Sequence, residues 1–421
     1  MSNDFSNKVK KKYYIILQPS IRAMGGEEMY TRNIIVSAHQ QGYEPIVFHS
    51  GIGGDRVYIE DLKTFTQNVF HEFRYEPCVI SKRKKNQLIN RIKTIINDYD
   101  EDSIIESHEI LVAEWGEWIA SQLRIRHFAY MLLEHNTLSY KPVYDFFKFK
   151  YDRRELAGIA KATIPDMFAK YDNNIEGYFL PAFCSNVYEN ILCPKEFKVG
   201  DADYTIGSIG RTNKQYVQPM IDAIIRFVTK YNDKSFNILY IGGSMDKASE
   251  EKVFTRLSSL PNAVLLFTGM LFPISIEMIR QMDVCVASSG SCLTSYNCGI
   301  PTISVDANDS KAIGVFNETT SNFLFRNSNE PPLEIENLLE EILIKKKYQR
   351  VNRKKSIDVD FSSHWEFVSN MSSKKEYFNI EKIVFPFKRR IIARFLGFYY
   401  GLKPTGYLYR FLSKMVNFLH K

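Results

Sequence analysis

The stretch Tyr204 to Lys214, YTIGSIGRTNK, decides how the rest of the chain reads. Its first six residues, Tyr204 to Ile209, form a short apolar run of the kind that fills a buried parallel strand. The run breaks at Gly210 into a polar loop carrying Arg211 and Lys214. Beyond Pro219, Met220, Ala223, Ile224 and Phe227 recur at three- and four-residue steps, which predicts a helix. Strand, glycine loop and helix in that order put backbone N–H groups and a helix N-terminus at a strand's carboxyl end, where phosphates bind well. Arg211 and Lys214 add positive charge there, and an Arg fork grips a phosphate through two parallel hydrogen bonds. An ordinary α/β unit with solvated basic residues would carry the same pattern.

Working outward, the 421 residues exceed one modest core and predict two domains. A net charge of +7 over that length favours anionic partners only weakly, so the location of the charge matters more than its size. The six cysteines show no CxxC pair and no zinc-like spacing with His, which predicts buried free thiols in a reducing compartment. The N-terminal residues MSNDFSNKVKKK carry no apolar signal core, and no apolar run approaches the ~20 residues of a membrane span. A cytoplasmic protein is expected.

Upstream, Tyr13–Leu17 predicts a strand and Gln18–Gly26 a loop. A helix from Glu27 to Gln41 is closed by Gly42, and a second strand spans Glu44–His49. Helix around Lys84–Asn97, strand Ser103–Ser107, helix Leu111–Leu123 and strand His127–Leu133 continue the alternation, which means a parallel sheet covered on both faces. Pro181–Gly200 reads as the connection. Further strands are expected at Phe236–Ile241, Ala263–Thr268, Val284–Ala287, Thr302–Val305 and Asn322–Phe325, then a surface helix over Glu330–Arg350. The predicted class is α/β: two tandem Rossmann-like domains facing a central cleft, with a C-terminal helical tail. Residues 1–185 form the first domain, 195–360 the second, 361–382 a crossover helical segment and 383–421 a tail.

Ligands in such folds bind beyond the carboxyl ends of the strands. Four loops meet that condition: Gly210/Arg211/Lys214; Gly242-Gly243-Ser244; Thr268-Gly269-Met270-Leu271; and Ser288-Ser289-Gly290-Ser291, whose helix closes on Gly299-Ile300-Pro301. Small residues at each permit close backbone approach, and the last offers hydroxyls and a helix N-terminus to phosphate.

On these residues the chain resembles the GT-B glycosyltransferases of the group 1, or GT4-like, superfamily. Gly210, Arg211 and Lys214 match the family's Gly-Arg and Lys, which hold the donor diphosphate, and Gly299-Ile300-Pro301 matches its Gly-x-Pro. Gly25-Gly26-Glu27-Glu28 is similar to the Gly-Gly-x-Glu that opens the family's first helix, an acceptor-side loop. The resemblance covers roughly residues 13 to 340. It implies a donor site made of Gly210, Arg211, Lys214, Gly243, Gly269, Leu271, Ser289, Gly290, Ser291 and Thr294. One departure stands out: the family's two donor-site glutamates fall here near Thr294 and among Ser288 to Ser291, where no residue is acidic. The resemblance implies a weaker hydroxyl contact from Thr294 or Ser291 to the donor's ribose.

Sugar transfer needs positive charge where a nucleoside diphosphate leaves and a group that takes the acceptor hydroxyl's proton. Arg211 and Lys214 suit the first task. For the second, the first domain offers His108-Glu109 after SIIES and Glu134-His135-Asn136 after FAYMLL, with Glu134 and His135 slightly favoured over His108. A single His near a strand end is more often a hydrogen-bonded structural residue. Asp306 and Asp309 make no DxD signature, so no metal is expected and no cofactor is required. Walker A and GxGxxG patterns are absent.

Beyond Glu381 the chain has no acidic residue. Around Tyr407–Leu419 a helical projection puts aromatic and aliphatic side chains on one side and Arg410, Lys414 and Lys421 on the other. A basic face opposite an aromatic face marks a helix lying in an anionic membrane surface; an amphipathic pair packed on the protein itself would look the same. Nucleic acid is not an expected partner. The expectation is therefore a peripheral, cytoplasmic-face transferase that moves sugar from a nucleotide-diphospho-sugar to a growing, lipid-linked surface glycan. The alternatives are a non-catalytic scaffold or glycan-binding partner on the same fold, and a sugar-nucleotide epimerase.

Overall fold

The computed structural model describes residues 10–22, 24–53, 56–133, 136–138, 140–184, 186–188, 190–351, 360–372 and 374–383. The chain divides into two compact units, after Phe183 and again before Asp360. The first unit takes both flanking parts, the second the part between.

In the first unit, strands β1 (Tyr13–Gln18), β2 (Glu44–His49), β3 (Ile104–His108), β4 (Arg126–Met131), β5 (Leu156–Gly158) and β6 (Tyr178–Phe179) form one parallel sheet in the order β2-β1-β3-β4-β5-β6. The strand order reverses between β1 and β3. Helices α1 (Gly26–Gln40), α2 (Lys82–Ile95), α3 (Ile110–Leu123), α4 (Lys141–Asp152) and α5 (Thr163–Phe168) follow its strands. β1 is buried along its whole length, as a continuous apolar strand covered on two faces must be. Around Trp115 and Phe73 one core cluster forms, and around Phe146 and Phe147 another.

The second unit repeats the plan. Strand β7 (Val187–Tyr188) opens it, followed by β8 (Tyr204–Ile209), α6 (Val217–Lys230), β9 (Phe236–Ile241), α7 (Lys247–Ser258) and β10 (Ala263–Phe267). Then come β11 (Ile274–Ser275), α8 (Ile276–Ile279), β12 (Val284–Ala287), α9 (Gly290–Asn297), β13 (Thr302–Val305), β14 (Ala312–Val315) and α10 (Ile335–Leu339). The main sheet runs β10-β9-β8-β12-β13-β14, while β7 pairs with β11 inside the stretch read as a connection. α6 buries Val217, Met220, Ile221, Ala223, Ile224, Phe227 and Val228, the periodic set that predicted it. Each large apolar side chain so buried contributes about 1.5–3 kcal/mol.

Three expectations need correction. Asn322–Phe325 is not a strand; the sheet ends on β14, antiparallel to β13. The 322–325 backbone is instead tied to a loop: the Leu324 carbonyl accepts the Ala307 N–H at 3.0 Å, and just beyond it Asp306 accepts the Arg326 N–H at 2.9 Å. The 330–350 segment is no surface helix: α10 and the π-turn Glu340–Ile344 after it bury Ile335, Leu338, Leu339, Ile342 and Leu343 in the core around α6. Its glutamates face out and had masked that stripe. Finally, the crossover segment is helical only over α11 (Ser362–Asn370); it continues to a tight turn at Ile380–Lys382. The tail from 384, with its projected helical faces, lies outside the described residues. Among the described residues no helix is long and apolar enough to cross a membrane.

Candidate functional site

In the second unit the strand order reverses between β8 and β12, and the loops leaving these two strands meet. Gly210 has φ +151°, a conformation that L side chains rarely adopt. A Cβ placed on it would touch the Tyr216 hydroxyl at 3.7 Å and Ser291 Oγ at 4.0 Å, ordinary contact with the loop that leaves β12. At Gly290, which opens α9, a Cβ would meet nothing within 4 Å. Ser289, the N-cap of α9, holds φ 59° and ψ −143°, a region almost reserved for glycine and costing on the order of 1–3 kcal/mol. Its N–H is spent on the Phe323 carbonyl at 2.6 Å, which pins the strained turn from behind. Cys292 N–H, the third of α9, bonds the Ser289 carbonyl at 2.9 Å, so Gly290 and Ser291 carry the N–H groups that a helix start leaves without an intrahelical partner.

Gly242 is required by contact as well as by conformation. Its φ is +137°, and a Cβ there would stand 2.1 Å from the Gly210 carbonyl oxygen. A Cβ on Gly243 would stand 2.9 Å from the Met270 nitrogen, and Thr212 N–H reaches the Gly243 carbonyl at 3.4 Å. The first three glycine loops thus stack backbone on backbone beside the fourth. Arg211 and Lys214 are exposed on the outermost of them. Leu271 is half-buried against the apolar cluster of Ile209 and Ile274, a packing role. Thr294 departs from its expected role: its Oγ1 donates to the Gly290 carbonyl at 2.9 Å within its own helix. Thr212 was passed over by sequence reasoning, which named Ser288 only as part of its loop. Their hydroxyls are buried at the ends of β8 and β12 with no hydrogen-bond partner among the described residues. Buried polar atoms of this kind normally find one.

In the first unit the corresponding switch point, between β1 and β3, carries acid–base groups. Glu106, fully buried on β3, accepts hydrogen bonds from the hydroxyls of Tyr14 (β1) and, at 2.7 Å, Tyr30 (α1). Its Oε1 lies 3.0 Å from His108 Nε2, and His364 of α11 reaches the Tyr14 oxygen at 2.7 Å through Nε2. His108 Nδ1 stands 3.3 Å from Glu27 Oε1. Burial alone would lower the His108 pKa, but the flanking carboxylates Glu106 and Glu27 carry it up to about 9. His108, expected as a candidate base, is thus fully buried between two carboxylates.

The group that does face outward is Glu109. β3 ends at His108, and Glu109 turns the chain into α3 with φ 65° and ψ 160°, a second strained non-glycine elbow. Burial, then the nearby charge of Glu27, raise its carboxyl to about 7 against the opposing pull of His108. Gly25 caps α1 and donates its N–H to Glu28 at 3.1 Å, so Glu28 serves the helix end and Glu27 the cluster. Glu134 and His135 lie outside the described residues. Among the described residues no group of three His, Cys, Asp or Glu could hold a metal.

No protein-family model matches the sequence, and no curated protein matches it either. Solved structures do. A glycosyltransferase from Rickettsia africae shares 13% identity over 92% of this chain and 99% of its own, with a TM-score of 0.53. Sucrose-phosphate synthase from Thermosynechococcus elongatus shares 12% over 86% and 95%, with a TM-score of 0.50. At such identities the likeness establishes the fold, two Rossmann-like domains of the GT-B type.

Proposed function

We propose that this GT-B chain is a glycosyltransferase that moves a sugar from a nucleotide-diphospho-sugar to a glycan acceptor, one carried on a lipid at an anionic membrane surface. The observation that supports it most is the open space at the β8/β12 switch point. Gly290, where a Cβ would meet nothing, leaves room for a diphosphate between the Arg211/Lys214 loop and the Gly290 and Ser291 N–H groups that open α9. Buried hydroxyls at Thr212 and Ser288 stand beside it. Gly243, Gly269, Ser289 and Ser291 complete the donor site, and Arg211 and Lys214 offset charge on the departing diphosphate. The reading assigns no metal or cofactor to this task. On the acceptor side Glu109, beside the Gly25-Gly26 loop, takes the proton of the attacking hydroxyl as the sugar's bond to phosphate breaks. Glu134 and His135 remain candidates for the same task. Membrane attachment rests on the acid-free sequence from 384 onward, and the cytoplasmic face follows from the nucleotide donor.

Arg211→Ala is expected to weaken nucleoside diphosphate binding by about 1.5–3 kcal/mol, the scale of a charged hydrogen bond. Calorimetric titration of wild type and variant with UDP and GDP measures it. Equal affinity in a folded variant would remove the assignment. A second reading, a donor-binding but non-catalytic scaffold, is favoured by Thr294, a hydroxyl turned back on its own helix where the resembling family has a carboxylate. Donor that binds but is never transferred or hydrolysed would select it.

A further inference from the structure

The first turn of α2 carries its charge at the wrong end. Lys82, Arg83 and Lys84 are exposed, the turn contains no acidic residue, and no ion pair ties them to a described residue. Cations at a helix N-terminus add to the positive end of the macrodipole and destabilise the helix, and Ser81 caps only the Lys84 N–H. From Pro77 to Asn97 the sequence has no Asp or Glu at all. Lys85, one step on, is buried and behaves differently: it forms an ion pair with Glu381. That pair fixes the place where the C-terminal chain leaves the first unit. The turn Ile380–Lys382 packs against Pro77–Val79, the turn that leads into α2, and Ile380 and Ile383 are buried with Cys78 alongside. The chain beyond Ile383 is 38 residues long (421 less 383) and acid-free. Its first cations, Lys388, Arg389 and Arg390, begin five residues on, within about 17 Å of Ile383 even when extended.

We propose that Lys82, Arg83 and Lys84 and the chain exit at Ile383 form one docking face for an anionic lipid surface. This rests on the membrane attachment in the function proposed above and places it on the first unit. A lipid surface fits better than a compact anion. The cations are spread over an exposed helical turn without a pocket, and the sequence that leaves beside them interleaves Phe, Leu and Tyr with Arg and Lys.

The test uses the full chain, its Lys82→Gln/Arg83→Gln/Lys84→Gln variant and a chain ending at Ile383, so that the buried Ile383 is kept. Sedimentation with phosphatidylcholine vesicles containing phosphatidylglycerol, at low salt, reads binding. The triple variant is expected to bind about 100-fold more weakly, three steps of about fivefold each. Its Tm should match or exceed wild type, because the lost charges opposed the helix dipole. The shortened chain should also lose binding, and both should keep nucleotide affinity. If the triple variant binds vesicles like wild type while truncation releases the protein, the α2 face is overturned and membrane attachment through the tail stands. If the wild type ignores these vesicles, both are overturned.

Discussion

Glu109→Gln is expected to lower turnover by about 10²–10⁴, the usual contribution of a general base, and to leave nucleotide affinity unchanged. The amide keeps the shape of the side chain and its strained elbow but accepts no proton. In the wild type the carboxyl titrates near 7, so the rate should rise with pH, about tenfold per unit, and level off above that value. The sign follows from the role: a base works only when deprotonated. Glu27→Gln removes the negative charge that supports the raised value, so the rising limb should move to lower pH without disappearing. A purely structural Glu27 would change Tm and not move the limb.

Stability gives an independent reading of the same group. A carboxyl whose folded pKa lies above its unfolded value favours the fold below the unfolded pKa and loses that contribution as pH rises through about 7. Glu109→Gln should therefore match wild type in Tm at pH 5 and equal or exceed it at pH 8. Full turnover in this variant would move proton transfer to Glu134 or His135.

How much of this could be read from sequence depends on the length scale of each signal. Apolar periodicity is local, and it placed β8, α6 and β9 and the glycine loops after them. β14 was missed because Ala312 and Gly314 are poor strand formers, while the aromatic run at Asn322–Phe325 looks more strand-like. Its backbone partners are Asp306 and Ala307, which periodicity does not weigh. The Gly210 loop was legible as a phosphate-type loop, yet the demand for glycine at Gly242 was not. That demand comes from the Gly210 carbonyl, 32 residues earlier (242 less 210). On the acceptor side His108-Glu109 was recognised as a pair, but the pair's division of labour was hidden. Glu106, Glu27, Tyr14, Tyr30 and His364 come from four elements spread over nearly the whole chain, and only their assembly makes His108 a buried cation and leaves Glu109 partly exposed beside it.

Lys150→Met is expected to cost the first unit about 3–5 kcal/mol, the penalty for removing one partner of a buried charge cluster. Lys150 is 1% exposed, and its three N–H donors are all used. They go to Glu117 at 2.8 Å, Glu155 at 2.7 Å and the His127 carbonyl at 2.7 Å. Glu117 in turn accepts from His127 Nδ1 at 2.8 Å and from the Phe378 N–H at 2.6 Å, which fastens the C-terminal segment to α3. His127 is neutral because burial, then Lys150, hold it down at about 4; its Nε2 accepts from the Ser107 hydroxyl at 3.0 Å. Without Lys150, Glu117 loses the lysine that balances it, while Glu155 keeps Arg153 at 3.0 Å. For a unit of this size each kcal/mol moves Tm by about 2–4 °C, so a fall of about 6–20 °C is expected. Trp115, Trp118 and Trp365, the only three tryptophans, all lie in the first unit, so their fluorescence follows its unfolding alone. Acid should act in two stages on the wild type. The buried neutral His127 costs stability as pH falls from its unfolded value, about 6.5, toward 4. Glu117, whose carboxyl its partners hold at about 2 against the cost of burial, adds a loss below about 4.5 that continues toward 2. Replacing Glu117 with Gln in the Lys150→Met background removes the stranded charge and should return part of the lost stability. A Tm within about 1 °C of wild type for Lys150→Met alone would show that water, not Lys150, balances these carboxylates.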